Sequence, residues 1–174
     1  MNDKSSKKIK KTDDSAKEFI IKCLKDNPTY GFDIDSIYYL NNQYYIFEYL
    51  KCENEYVTPH TSHPRRYPYN WRKFYSLWEI TNKLGGFLFL VNYSDRSADK
   101  NLVKLIYVKD FKYEKLDELD GCKKGSKIDF LETEEFDLTD DEFSEYLINL
   151  NNSASLPKHS SPFLPKKIGG MRNE

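Results

Sequence analysis

The sequence predicts an α/β fold of the α+β kind, in which helices flank a mixed central sheet and one further helix follows at the C-terminal end. Three observations predict it. Two runs rich in β-branched and aromatic residues, 34–40 and 44–50, flank Asn41, Asn42 and Gln43. Asparagine tolerates the left-handed backbone of tight hairpin loops, so the stretch reads as a β-hairpin. Trp71, Phe74, Leu77, Trp78, Thr81 and Leu84 then recur at three and four residues, the apolar stripe of a helix, and Gly85-Gly86 stops it. Residues 87–93, Phe-Leu-Phe-Leu-Val-Asn-Tyr, are almost continuously apolar, as in a strand buried on both faces. A strand, a helix and a buried strand in succession are what a βαβ crossover requires.

The remaining elements follow in order. Residues 1–14 carry Lys4, Lys7, Lys8, Lys10 and Lys11 with almost nothing apolar, and are expected to form a disordered basic tail. Ser15 and Glu18 make a capping-box pair that opens a helix over 15–25, and Asn27-Pro28 ends it. The connection 52–70 has no clean periodicity and holds Pro59, Pro64 and Pro68; one this long is functional or disordered. A further strand is expected over 102–108. Residues 113–145 are strongly acidic and read as a solvated face, with no spacing that matches a calcium loop. Thr139 and Glu142 form another capping box, and Phe143, Tyr146, Leu147 and Leu150 the apolar face of a helix that packs on the sheet. Ser, Pro, Lys and Gly dominate 151–174, where a flexible tail is expected.

With 174 residues, 39% of them apolar, the chain can bury one sizeable core, so a single domain over 15–150 is expected. A net charge of −1 makes the whole molecule no magnet for polyanions; attraction to nucleic acid must be local. Cys23, Cys52 and Cys122 are odd in number and widely spaced, which fits reduced thiols rather than a disulfide framework or a zinc site. The N-terminus lacks the apolar core of a signal peptide, and no apolar run approaches membrane-spanning length. A cytoplasmic protein without a membrane partner is expected.

Chemistry concentrates at one end of the hairpin. Glu48 is the single acid in an apolar strand, and a carboxylate there is costly to bury without a partner. Asp33 and Asp35 begin the preceding strand, so pairing about the Asn42 turn brings these acids beside Glu48, with Lys51 close by. Two converging carboxylates make a divalent-cation site. These residues resemble the core of the PD-(D/E)xK nuclease superfamily, which includes restriction endonucleases and Holliday-junction resolvases. There an Asp, an Asp or Glu on the next strand, and a Lys two residues later complete the site. Glu48 follows Asp35 by 13 positions, which suits a hairpin of this size.

The resemblance covers residues 15–108. It implies a restriction-endonuclease-like αβββαβ core, its first strand short or near 29–32, and Mg2+-dependent (or Mn2+-dependent) hydrolysis of phosphodiester bonds. Asp35 and Glu48 would hold the ion, with Asp33 competing for that role and Glu18 of the first helix joining it or serving only as a cap. Lys51 would activate the attacking water. It stands three residues after Glu48, however, with Leu50 two after. Either a β-bulge near Leu50 re-aims Lys51, or Lys73 near the start of the next helix stands in. His63, Arg65, Arg66, Tyr67, Arg72 and Lys73 interleave basic groups and rings, a pattern that grips phosphates and stacks on bases; His63 would orient a phosphate or be satisfied within the loop. The resemblance makes DNA the expected partner over RNA and a homodimer possible. The alternative is a nuclease-like module that no longer cuts and binds nucleic acid or protein.

Overall fold

The computed structural model describes residues 15–25, 31, 33–123 and 125–154. The chain divides into two units, 1–32 and 33–174. In the first, helix α1 spans Ser15–Leu24, within one residue of the expected 15–25. Both expected tails lie outside the described residues, except that the C-terminal helix runs on to Ser153. The short first strand allowed near 29–32 also lies outside them, apart from Gly31.

The second unit is a mixed α/β body around one five-stranded mixed sheet, in sequential order β1-β2-β3-β4-β5. Strands β1 (Ser36–Leu40) and β2 (Gln43–Lys51) pair antiparallel, Leu40 opposite Gln43 and Ser36 opposite Phe47. Their loop is therefore Asn41-Asn42 alone, with φ of 57° and 63°, the left-handed pair that a two-residue hairpin turn needs. Helix α2 (Trp71–Lys83) crosses to β3 (Phe87–Tyr93), which runs parallel to β2 from Tyr45↔Phe87 to Lys51↔Tyr93. The crossover is tight at its second glycine. A Cβ on Gly86 would sit 2.5 Å from the Tyr44 carbonyl oxygen, so only glycine lets the chain enter β3 against β2.

Strand β4 (Val103–Phe111) pairs antiparallel with β3, and β5 (Leu131–Leu138) antiparallel with β4. A short helix, α3 (Leu116–Asp120), lies between β4 and β5. Strand β5 sits inside the acidic stretch expected to be only a solvated face. Its acids do face water in part, but Leu131, Phe136 and Leu138 are buried. Leu131 lies on one face, and Phe136 and Leu138 on the other, so the apolar pattern never alternates cleanly and the strand is hidden in the sequence. Helix α4 (Asp140–Ser153) opens with the expected capping box, Thr139 Oγ1 accepting from Glu142 N at 3.2 Å and Glu142 Oε2 from Thr139 N at 2.7 Å.

Alternation along the strands builds two cores. Phe74, Leu77 and Trp78 of α2 pack on Ile46, Leu88, Leu90 and Ile106. Tyr146 and Leu150 of α4 pack on Tyr45, Phe47, Phe89, Val91 and Leu105. No helix among the described residues is long and apolar enough to cross a membrane.

Candidate active site and its cation-lined cavity

The acids gather where the sheet's parallel pair ends. Asp35 lies one residue before β1, and its Oδ2 accepts a hydrogen bond of 2.7 Å from Tyr49 N of β2. A side-chain carboxylate thus takes the place that a strand carbonyl would hold one step further along the ladder. Glu48 lies on the α2 face of β2 and is only 2% exposed. Burial is the first reason its pKa is pushed up to about 7, and the nearby charges of Asp35 and Asp33 push the same way. Lys73 acts against them: its Nζ contacts Glu48 Oε1 as an ion pair. Glu48 Oε2 is buried without a hydrogen-bond partner among the described residues.

Lys51 has a different fate. The β2–β3 register is unbroken through Lys51↔Tyr93, so no bulge intervenes. Three residues then separate opposite faces, because strand side chains alternate. Leu50 packs with the α2-side core, and Lys51 pairs with Asp95 at 2.6 Å. The amine beside Glu48 therefore comes from the first turn of α2, and the strand's own lysine is engaged by Asp95. Glu18 lies in the first turn of α1, in the other unit.

The connection 52–70 is neither disordered nor open. It forms three successive 3₁₀ turns, Pro59–Thr61, Pro64–Arg66 and Pro68–Asn70, each with proline first, where the ring's fixed φ suits the turn. The sheet fastens it down. Asn92 Nδ2 donates to Ser62 O at 3.0 Å, His60 Nε2 meets Leu138 O at 3.0 Å, and Arg96 donates at 2.7 Å to the carbonyls of Asn54 and Val57.

His63 belongs to this fastening and is withdrawn from any phosphate. It is buried, its Nδ1 accepts from Arg65 N at 3.1 Å, and its Nε2 faces Glu135 Oε1 at 3.3 Å. Burial lowers its pKa first, with Glu135 opposing. A neutral ring protonated on Nε2 satisfies both contacts.

The other basic and aromatic residues divide. Arg72 pairs with Asp120 at 2.8 Å and lies over the Trp71 ring. Arg65 is exposed, and its carbonyl accepts from Ile128 N at 3.2 Å. Arg66, Tyr67 and Lys73 line, together with Glu48 and Lys51, a cavity of about 630 Å³. Arg66 donates to the Thr61 carbonyl at 3.3 Å and to no other group among the described residues. Tyr67 packs against Phe74, and burial pushes its hydroxyl up to about 12.

Glu53, Asn54, Ser62, Tyr69, Asn70 and Lys127 are also in the cavity's lining. Lys127 is hidden in the sequence because it lies in the acidic third of the chain. The available signal was the charge reversal in Lys123-Lys124-Gly125-Ser126-Lys127. Its position follows from Ile128, whose buried side chain and bond to Arg65 tie that turn to the cavity.

Among the described residues no group of three or more His, Cys, Asp or Glu side chains is gathered to hold a metal ion. Mg2+ does not require one, since it keeps several waters and binds through one or two carboxylates. Asp35 and Glu48 are suited to such an ion. Among the described residues Glu48 Oε2 lacks a partner, and neighbouring negative charge opposes its ionisation, a penalty that a cation would relieve. No protein-family model, curated protein or solved structure matches this chain.

Proposed function

We propose that the protein is a Mg2+-dependent nuclease of the PD-(D/E)xK type, hydrolysing phosphodiester bonds in nucleic acid, DNA before RNA. One observation carries this: Lys73 reaches across from α2 to Glu48 at the hairpin end where Asp35 sits. The acid pair and an amine thus meet although the strand's own lysine points away. Asp35 and Glu48 would hold the ion, with the Tyr49 carbonyl, next after Glu48, as the further ligand that the resemblance implies. A bound Mg2+ would supply Lewis-acid stabilisation of the phosphate and a more acidic water. Lys73 would hold and polarise that water beside the phosphorus, and its charge would offset the negative charge that grows in the transition state. Glu48 keeps Lys73 in place, and Tyr67 with the fastened connection forms one side of the cavity. The element order α1, hairpin, α2, β3, β4 supports a restriction-endonuclease-like core.

The test is cleavage of supercoiled plasmid, linear duplex, single-stranded DNA and RNA with Mg2+ or Mn2+, by wild type and Glu48→Gln. Metal-dependent cutting lost in the variant is expected. A folded wild type that cuts none of them in either metal would sink the proposal. Leu50 stands where the family lysine would be and packs in the core, which favours the second reading, a binding module that no longer cuts. Retained binding without cutting is its signature.

A further inference from the structure

We propose that the cavity takes a single strand of DNA, or a strand end freed from its partner, rather than an intact duplex. The proposal rests on the nuclease reading for the place of the reacting phosphate, and three observations carry it. Glu48, which lines a cavity of about 630 Å³, is itself only 2% exposed. That size is typical of a site enclosing one small ligand. A duplex carries its phosphates on a convex outer surface with its bases held inside, and cannot bring one backbone up to a carboxylate so withdrawn. A lone strand can.

The wall cannot swing aside cheaply. The connection that carries Arg66, Tyr67 and Tyr69 is held by Asn92, His60, His63 and Arg96, and its Arg65 carbonyl by Ile128 N. Opening it for a duplex breaks several of these contacts at once.

The lining also has the chemistry of single-strand recognition. The charges of Lys51 and Lys73 are matched by Asp95 and Glu48. Among the described residues Arg66 has only a backbone carbonyl for a partner, and Lys127 forms no ion pair. The lining also holds Glu53, yet its four cations, Lys51, Arg66, Lys73 and Lys127, outnumber its two acids, Glu48 and Glu53, and such a wall favours phosphates. Beside them Tyr69 is 56% exposed, a ring open to a base. Cations tracking the backbone beside a stacking ring are how single strands are held without sequence preference.

The experiment is fluorescence anisotropy with a labelled single-stranded oligonucleotide, its duplex and the matching RNA, in EDTA so that nothing is cut. Single-stranded DNA is expected to bind at least about tenfold tighter than duplex, with Tyr69→Ala losing at least about fivefold. Replacing both cations, Arg66→Ala with Lys127→Ala, should flatten the slope of log affinity against log salt by about 1.4. Duplex bound as tightly as single strand overturns the proposal, and so does single-strand binding that ignores these substitutions. Matching RNA bound as well as DNA supports strand selectivity without sugar selectivity. Duplex cut in a Glu48-dependent way without single-strand preference overturns this inference alone. Selective single-strand binding by a protein that never cuts overturns the nuclease instead.

Discussion

Two lysines on opposite faces of the β2 end make the most instructive comparison in the molecule. Lys51 lies on the strand itself and pairs with Asp95, both partners well exposed. Lys73 comes from a different element and pairs with a carboxylate that is all but removed from water. The exposed pair is screened by solvent and adds little. The buried one matters because removing either partner strands the other in a poorly solvated place. Nearness to Glu48 in sequence is thus a poor guide to which amine serves it. Strand parity excludes Lys51, and helix packing supplies Lys73.

The largest effect expected from breaking this contrast is catalytic. Lys73→Ala should lower metal-dependent cleavage by roughly 10²–10⁴-fold, whereas Lys51→Ala stays close to wild type. Single-turnover rates on one labelled substrate would measure both. The reverse order of effects would return the catalytic role to Lys51.

The next effect is on stability. Lys73→Met should cost roughly 1–3 kcal/mol at pH 8.5, where Glu48 is left ionised and buried, and clearly less at pH 5.5, where Glu48 takes up a proton. Lys51→Met should leave the urea midpoint unchanged at both. A pH-independent cost for Lys73→Met would mean that packing, not charge, is what the residue supplies.

The proton linkage has a definite sign. The Glu48 pKa is raised from 4.5 to about 7, so its neutral form favours the folded state. That contribution is complete below about pH 4.5 and is lost as pH rises through about 7. Glu48→Gln should therefore gain stability relative to wild type between pH 5 and 8. Mn2+ affinity of wild type, read by titration calorimetry, should rise with pH up to about 7 and then level, with proton release on binding. A flat profile would remove Glu48 from the ion's ligands.

His63 runs the other way. Burial lowers its pKa from 6.5, so its contribution is present at neutral pH and lost as pH falls below 6.5. Limited proteolysis of the 52–70 connection should accelerate at pH 5.5. His63→Asn keeps an acceptor for Arg65 N and should blunt that acceleration. This is the smallest of the four effects, since Asn92 and His60 still hold the connection.

Much of this protein was legible in its sequence, for local physical reasons. The Asn41-Asn42 turn, the α2 stripe with its terminating glycines, the Thr139–Glu142 cap and the buried run of β3 all depend on neighbours within a few residues. So does the meeting of Asp35 with the end of β2, because hairpin pairing follows from the turn. Parity alone also told that Lys51 and Glu48 part company unless a bulge intervenes. Other features were decided only in three dimensions. Strand β5 needed β4 as its partner, and His63 looked available until Glu135, 72 positions later, came up beside it. Lys127 reached the cavity through Ile128 and Arg65. Lys73 could be named from sequence as a stand-in, but only the packing of α2 on the sheet set it against Glu48. Local interactions set the elements and their faces; contacts between residues far apart in the chain set which charges face each other, and that is where the proposed chemistry resides.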